Sequence, residues 1–528
     1  MSHRQQKSDP AISEYGGRAR LVEWAALALI GVLYVCHVVR LDFISDDSFI
    51  TFRYARNLAA GHGLVFNLGE RVEGFSSPLW TILLAGVRTV GADIAFSARL
   101  LGVACGLLAL LACWRLALAV GGTGRFRPVS LLAPLLLAAN GSFACWSASG
   151  METPLYVLLI LAAFLSAFSL NRPAMVLSVI GLILVRPEGS VVFLLLILHQ
   201  VLRRHEIGRR PAMIVALVGA ISLAVLFASR YVYYGAWLPN TYYAKVGGGL
   251  TAISRGLTYF SDYAADHEGL VLLCVPVLVG LLSRNANRRT IALAALGLWI
   301  VTVLEGGDGL PMYRFALPAL PLLAALDVAL LVDWLHLVQK STGVSSRQAG
   351  IVMGMAAALL VTVHVTPPAR GTWYGLYEDQ RNIEIPQWIM VGKWLAEHAN
   401  KDASIATVPI GAVSYYSGLK TLDMMGLTDK HIARSTAPRI GRGWVGHERH
   451  DAAYILNLRP TYLLLGNIDV TDRPRDPTAR PFIGYESRAV WAREEDMYKT
   501  DLVWTAYEPR SVELAPGQFL NFYQLRIR

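Results

Sequence analysis

Two adjacent carboxylates follow directly on an apolar run: Ser45-Asp46-Asp47-Ser48-Phe49-Ile50-Thr51-Phe52-Arg53-Tyr54 comes just after the stretch that ends at Val39. A carboxylate within hydrogen-bond reach of a hydroxyl can take its proton, and acids held at the edge of a bilayer mark a functional site by default. The competing reading is local, with Ser45 and the two acids capping and charging the first turn of a helix that runs to Gly61. A second segment, Glu305-Gly306-Gly307-Asp308-Gly309-Leu310-Pro311-Met312-Tyr313-Arg314, surrounds an Asp and an Arg with glycines, which permit close backbone approach to a polar ligand. Leu64 to Pro78 mixes paired charges with aromatics more densely than a connector requires. Tyr231 to Lys245 joins aromatics, a Pro-Asn turn and a terminal lysine, which suits an interfacial aromatic belt or a sugar platform with a phosphate contact.

What must position these residues is a membrane bundle. Of the 528 residues 54% are hydrophobic and 16% charged, and the mean hydropathy is +0.43, which excludes a set of soluble domains. About eleven transmembrane helices are expected, over 21–39, 100–120, 129–146, 154–170, 174–185, 190–202, 212–229, 270–282, 291–304, 315–331 and 349–364. The two runs beside Arg186-Pro187-Glu188-Gly189 are short enough to form a tilted or re-entrant hairpin. The first run lacks a small-residue cleavage site before Arg40 and is expected to remain as a helix. The five cysteines fall in or beside apolar runs without metal spacing, so a disulfide framework is not expected. No cofactor is expected; a divalent metal is compatible with the acids but no motif indicates one.

The net charge of +10 is a topology signal rather than a nucleic-acid one, because Arg125, Arg127, Arg203, Arg204, Arg209, Arg210, Arg284, Arg288 and Arg289 sit in short connectors between apolar runs. With those connectors and the basic amino terminus inside, Asp46, Asp47, Glu70, Glu73, Glu152, Glu188, Glu305 and Asp308 all fall on the opposite, extracytoplasmic face. The chain is thereby divided into a transmembrane catalytic domain, 1–366, and a smaller extracytoplasmic α/β domain, 367–528. In the latter Ser404 to Val408 and Tyr462 to Leu465 read as buried strands and Pro386 to His398 as an amphipathic helix. The fold class is mainly α, and the setting is a bacterial plasma membrane.

The motifs together resemble a known family. Ser45 to Arg53, Gly61-His62-Gly63-Leu64-Val65-Phe66-Asn67 and Glu70 to Trp80 are similar to the first exterior loop of GT-C polyprenyl-phosphate-sugar glycosyltransferases, and within them to bacterial membrane arabinofuranosyltransferases. Ser149 to Pro154, Arg186-Pro187-Glu188-Gly189, Gly306-Gly307-Asp308, Arg314 and Gly411 to Gly418 agree in order. The resemblance implies a GT-C-like bundle and an exterior aspartate of the first loop as catalytic base, which leaves Asp46 and Asp47 as alternatives. Chemistry supplies the reason. No Gly-rich nucleotide fingerprint follows a strand, so an exterior transferase takes a lipid-carried donor; its phosphate leaves with negative charge, for which Arg186, Lys245 and Arg314 are the candidate cations. The attacking acceptor hydroxyl must lose a proton to one carboxylate, and direct displacement inverts the anomeric carbon. Arg53, Glu73, Glu152, Glu188, Asn240, Tyr242 and Asp308 are assigned to substrate binding.

The expected partners are thus a polyprenyl-phosphate-sugar donor, a glycan or glycoprotein acceptor and the bilayer, with no nucleic acid. A protein O-glycosyltransferase, of pilin for example, shares this chemistry and differs in acceptor. A lipid-linked sugar flippase would carry an internal repeat with midplane binding residues, and none is visible.

Overall fold

The computed structural model describes residues 10–121, 127–247, 249–342, 348, 354, 372–436, 440, 445–483 and 496–526. Helix α1 (Pro10–Leu41) carries the first apolar run, and four residues later α2 (Asp46–Ala59) begins with both acids in its first turn. Pro78 starts α3 (Pro78–Thr89), where its missing N–H costs nothing. Next comes α4 (Ile94–Gly121). The run expected over 129–146 is a broken span: α5 (Leu132–Ala139) and α6 (Gly141–Ser147) meet at a bend of 63°, where Asn140 caps α6 by accepting the Phe143 N–H at 2.9 Å.

Three short apolar helices follow, α7 (Thr153–Phe168), α8 (Arg172–Val185) and α9 (Gly189–Leu202). Pro187 holds the preceding Arg186 in extended backbone and so ends α8, which makes the expected break between α8 and α9. A single turn, α10 (Arg204–Ile207), leads to α11 (Arg210–Tyr234), stopped by left-handed Gly235, and to α12 (Asn240–Lys245). The described bundle is completed by α13 (Leu250–Tyr263), α14 (Gly269–Leu282), α15 (Ala286–Leu304) and α16 (Leu320–Thr342).

Among the described residues five helices are long and apolar enough to cross a membrane, six counting the bent pair, with α7, α8 and α9 shorter. The chain is a multi-pass membrane protein. Every apolar run expected up to residue 331 falls on a helix or on the bent pair, while 349–364 lies outside the described residues apart from 354. Among the helices beyond the expected set, α3 carries only a short apolar run, Ile82 to Val87, and α13 is amphipathic, so neither reads as a span.

The C-terminal part adds a small sheet. Strands β1 (Ser404–Thr407), β2 (Lys420–Asp423), β3 (Tyr462–Leu464), β4 (Val470–Thr471), β5 (Tyr507–Ala515) and β6 (Gln518–Leu525) lie in the order β2-β1-β3-β6-β4, with β5 also paired to β6. β1 runs parallel to β2 and β3 in the registers Ala406↔Leu422 and Ala406↔Leu463, and β6 is antiparallel to its neighbours. The expected amphipathic helix is present as Ile385–His398 and buries Trp388, Val391 and Leu395. Its core is continuous with that of the bundle: Phe49 of α2 meets the rings of Tyr415 and Tyr416, each at 5.7 Å. This contact seats the sheet region on the helix that carries the acids.

Candidate functional site

The two acids of α2 both line the larger of two cavities but differ in their other surroundings. Asp46 accepts the N–H of Ala412 at 2.7 Å through one carboxylate oxygen and that of Gly411 at 3.0 Å through the other. Burial pushes its carboxyl up to about 7, outweighing the two N–H donors, and the neighbouring Asp47 charge adds to the rise. Asp47 has no hydrogen bond or ion pair among the described residues and lines two cavities. Ser45, expected as a cap, does not cap: its hydroxyl is buried without a partner.

The smaller cavity, about 240 Å³, lies between α2, the α8–α9 break, α11 and α12; the larger, about 600 Å³, lies between the bundle and the C-terminal part. Asp47, Ile50, Lys245, Phe315 and Leu427 line both. One flank of the smaller cavity is apolar, built by Ile183 of α8 and by Leu223, Leu226 and Phe227 of α11. The outer face of α11 exposes Met213, Leu217, Ile221, Val225 and Val232, a helical stripe suited to lipid. That cavity therefore sits beside the bilayer.

The three candidate cations all line the smaller cavity but differ in how far they are already neutralised. Arg186 donates to Glu152 at 2.8 Å and to Glu188 at 2.6 and 3.1 Å, and Arg314 grips Asp308 with two bonds of 2.9 and 3.0 Å while lying over the rings of Trp146 and Phe315. Lys245 has no carboxylate partner among the described residues. It is the cation best placed to meet a new anion.

The residues assigned to substrate binding divide in the same way. Glu152, Glu188 and Tyr242 line the smaller cavity and Asp308 the larger, although three of these are the acids just named as partners of arginine. Arg53, Glu73 and Asn240 line neither. Arg53 is buried and donates to the carbonyls of Phe66, Ser414 and Leu419, tying the first loop to the C-terminal part. Asn240 binds the carbonyls of Gly426, Leu427 and Asp429, and Glu73 holds the Arg230 Nε with both oxygens at 3.0 Å. The glycine-rich segment packs tightly on one side, while Gly306, Asp308 and Gly309 line a further cavity of about 160 Å³ with Tyr259 and Trp373. Gly306 and Gly307 take φ of +84° and +78°, and their free faces are filled by Arg255 and by the Tyr259 ring.

Two charged residues that line the smaller cavity lie outside the assigned set. Arg230 uses its Nε on Glu73 and leaves Nη2 buried without a partner. Glu305, which follows the last turn of α15, has no hydrogen bond or ion pair of its carboxyl among the described residues. Arg230 is hidden in sequence because it follows directly on an apolar run in the last part of α11, although it immediately precedes the Tyr231 to Lys245 segment. Glu305 stands on the expected exterior face and opens the glycine-rich segment singled out in the sequence, where Asp308 and Arg314 rather than Glu305 drew the assignment.

Residues 375–513 match a family described as a domain of unknown function, DUF8728. The chain is 29% identical over 291 residues to a terminal beta-(1->2)-arabinofuranosyltransferase of Mycobacterium tuberculosis, covering 51% of this chain and 45% of that protein. A 38-residue segment is 60% identical to the protein of the same description from Corynebacterium glutamicum, covering 7% and 6% of the two. The chain thus matches less than half the length of each curated relative. Among solved structures the apo oligosaccharyltransferase of Archaeoglobus fulgidus superposes with a TM-score of 0.51 at 13% identity, over 76% of this chain and 64% of that one. The likeness is one of fold, and the fold is the GT-C-like membrane bundle with a small C-terminal α/β part. The resemblance to arabinofuranosyltransferases read from the first loop is borne out.

Proposed function

We propose that this chain is an inverting membrane glycosyltransferase that moves a sugar, arabinofuranose, from a polyprenyl-phosphate donor to a glycan acceptor on the extracytoplasmic side. The observation that carries the reading is the meeting of two cavities at Asp47 and Lys245, an acid and a cation that no other described charge neutralises. The likeness to arabinofuranosyltransferases over half the chain supports the choice of sugar.

The smaller cavity takes the donor. Its apolar flank on α8 and α11 accepts the prenyl chain, and Lys245 with the spare Nη2 of Arg230 holds the phosphate. The larger cavity takes the acceptor, whose hydroxyl gives its proton to Asp47 as its oxygen bonds to the anomeric carbon; the bond from that carbon to the phosphate oxygen breaks, and the electron pair leaves with the lipid phosphate. Asp46 positions the base by fastening the first turn of α2 to Gly411 and Ala412. Arg186 and Arg314, held by their carboxylates, shape the cavity wall.

The test uses the purified full chain in lipid nanodiscs with farnesyl-phosphoryl arabinofuranose and an arabinofuranosyl oligosaccharide. Transfer with inversion, read by NMR of the new linkage, is expected. Absence of transfer to any oligosaccharide, together with loss of a sugar from a surface glycoprotein when the gene is removed, would replace this reading with protein O-glycosylation.

A further inference from the structure

Glu305 is the C-cap of α15 and lines the donor cavity with Arg186, Lys245 and Arg314. Four cations, Arg186, Arg230, Lys245 and Arg314, line that cavity, yet no hydrogen bond or ion pair holds the Glu305 carboxyl among the described residues. Three of those cations are already paired, because Arg186 is gripped by Glu152 and Glu188, Arg314 by Asp308, and Arg230 through its Nε by Glu73. The surroundings disfavour a negative charge. Glu188 across the cavity and Asp308 in the same loop are negative, and the carbonyl end of α15 adds partial negative charge where the side chain begins. The groups facing it are Arg186 and Glu188 from the α8–α9 break, Lys245 from α12, Tyr156 from α7, and Asp308 and Arg314 from its own loop. Arg255 of α13 binds the adjacent Gly306 carbonyl at 3.1 Å.

Resting on the donor assignment above, we infer that Glu305 binds the donor phosphate as a neutral carboxylic acid, donating a hydrogen bond to a phosphate oxygen beside Lys245. A protonated carboxyl is a strong donor to an anionic oxygen, whereas its ionised form repels the same ligand. Burial, with Glu188 beside it, pushes the Glu305 carboxyl up to about 8, which keeps it neutral at physiological pH. Donor affinity then carries an alkaline limit set by this one group. Beside Lys245 and the Nη2 of Arg230, the Glu305 contact adds no further cation that a departing phosphate would have to escape.

The experiment measures binding of farnesyl phosphate to the full chain in nanodiscs from pH 7 to 9.5, with inorganic phosphate as the second probe. The wild type is expected to bind farnesyl phosphate with an affinity that falls by about tenfold per pH unit above the titration of the carboxyl. Glu305→Gln retains a donor and cannot ionise, so it should bind within a few-fold of wild type at pH 7 and lose the alkaline fall. Glu305→Met, of similar size without a donor, should bind about tenfold more weakly at pH 7 and show no alkaline limit from this group. Thermal melting of each variant checks that it is folded, and should Glu305→Gln misfold the Glu305→Met measurement decides. An alkaline fall shared by wild type and Glu305→Gln, wild-type affinity in Glu305→Met, or loss of all binding in a folded Glu305→Gln overturns the inference. Inorganic phosphate matching farnesyl phosphate would make the ligand a free anion and overturn the lipid assignment. If the wild type binds farnesyl phosphate while these variants behave as it does, the proposed function stands and this inference alone falls.

Discussion

Adjacent positions in a helix point about 100° apart, and α2 uses that geometry to give two neighbouring carboxylates different work. Asp46 turns toward the N–H groups of Gly411 and Ala412, and Asp47 toward the junction of the two cavities. Asp47→Asn keeps shape and helix-start preference but cannot take a proton, so turnover should fall on the order of 100-fold or more with the melting temperature unchanged. A steady-state assay beside a melting curve checks both halves. Lys245→Ala should act on the other parameter, raising KM for the lipid donor by about tenfold or more with a smaller effect on turnover, and a loss confined to turnover would move the phosphate elsewhere. The acidic pair was legible because acids at a bilayer edge are rare. Which acid reaches both cavities was not, because the partner of Asp46, which lines only the larger, lies 365 residues further along the chain. The arginine candidates were legible only in part for a related reason: sequence displays Arg186 and Arg314 beside turns, but not that Glu152, Glu188 and Asp308 pair with them.

Between elements, the contact that matters is the seat of residues 411–417 on α2. Gly411 is there for space: a Cβ would stand 2.0 Å from the Asp46 carbonyl oxygen, a backbone atom that cannot step aside. Gly411→Ala should therefore cost about 1–3 kcal/mol of stability and reduce activity with it by moving the first turn of α2. The same seat makes stability depend on pH. Asp46 is raised from 3.8 to about 7 and Asp423, buried below the 423–428 loop, from 3.8 to about 6. Both therefore keep a proton in the folded chain that the unfolded chain has lost. Their contribution to stability is full below about pH 4 and is lost as pH rises, by about 6 for Asp423 and about 7 for Asp46. Asp46→Asn removes one of the two titrations, so its melting temperature should gain on that of the wild type between pH 5 and 8; parallel curves would mean that the Asp46 carboxyl is ionised throughout. The strands at 404 and 462 and the helix ending at His398 were legible because each is a short, clearly patterned apolar stretch. β5 and β6 escaped because neither alternates: Glu508, Arg510 and Glu513 interrupt β5, and β6 buries Leu520 to Tyr523 in succession, Asn521 included.

At the scale of the whole molecule, composition alone gave the class, and the basic connectors gave an orientation that local geometry now makes consequential. Arg203, Arg204, Arg209 and Arg210 lie at the junction of α9 and α11, while Arg230 and the cavities lie at the other end of α11, twenty residues and about 30 Å along the helix axis from Arg210. A helix of that length crosses a hydrocarbon core once, so the arginine-rich end and the catalytic end belong to opposite sides of the membrane. If the arginines are inside, the C-terminal part and its acceptor cavity are outside, where sugar donors are lipid-carried. The check is the reactivity of single cysteines toward an impermeant thiol reagent in intact cells, in a background from which the five native cysteines have been removed. Arg473→Cys, in an exposed stretch after β4, should be labelled; Arg209→Cys, also exposed, should be labelled only after the membrane is opened. The reverse pattern would put Asp47 and Lys245 on the side where soluble nucleotide sugars are available, and the lipid-phosphate chemistry built on their meeting would lose its reason.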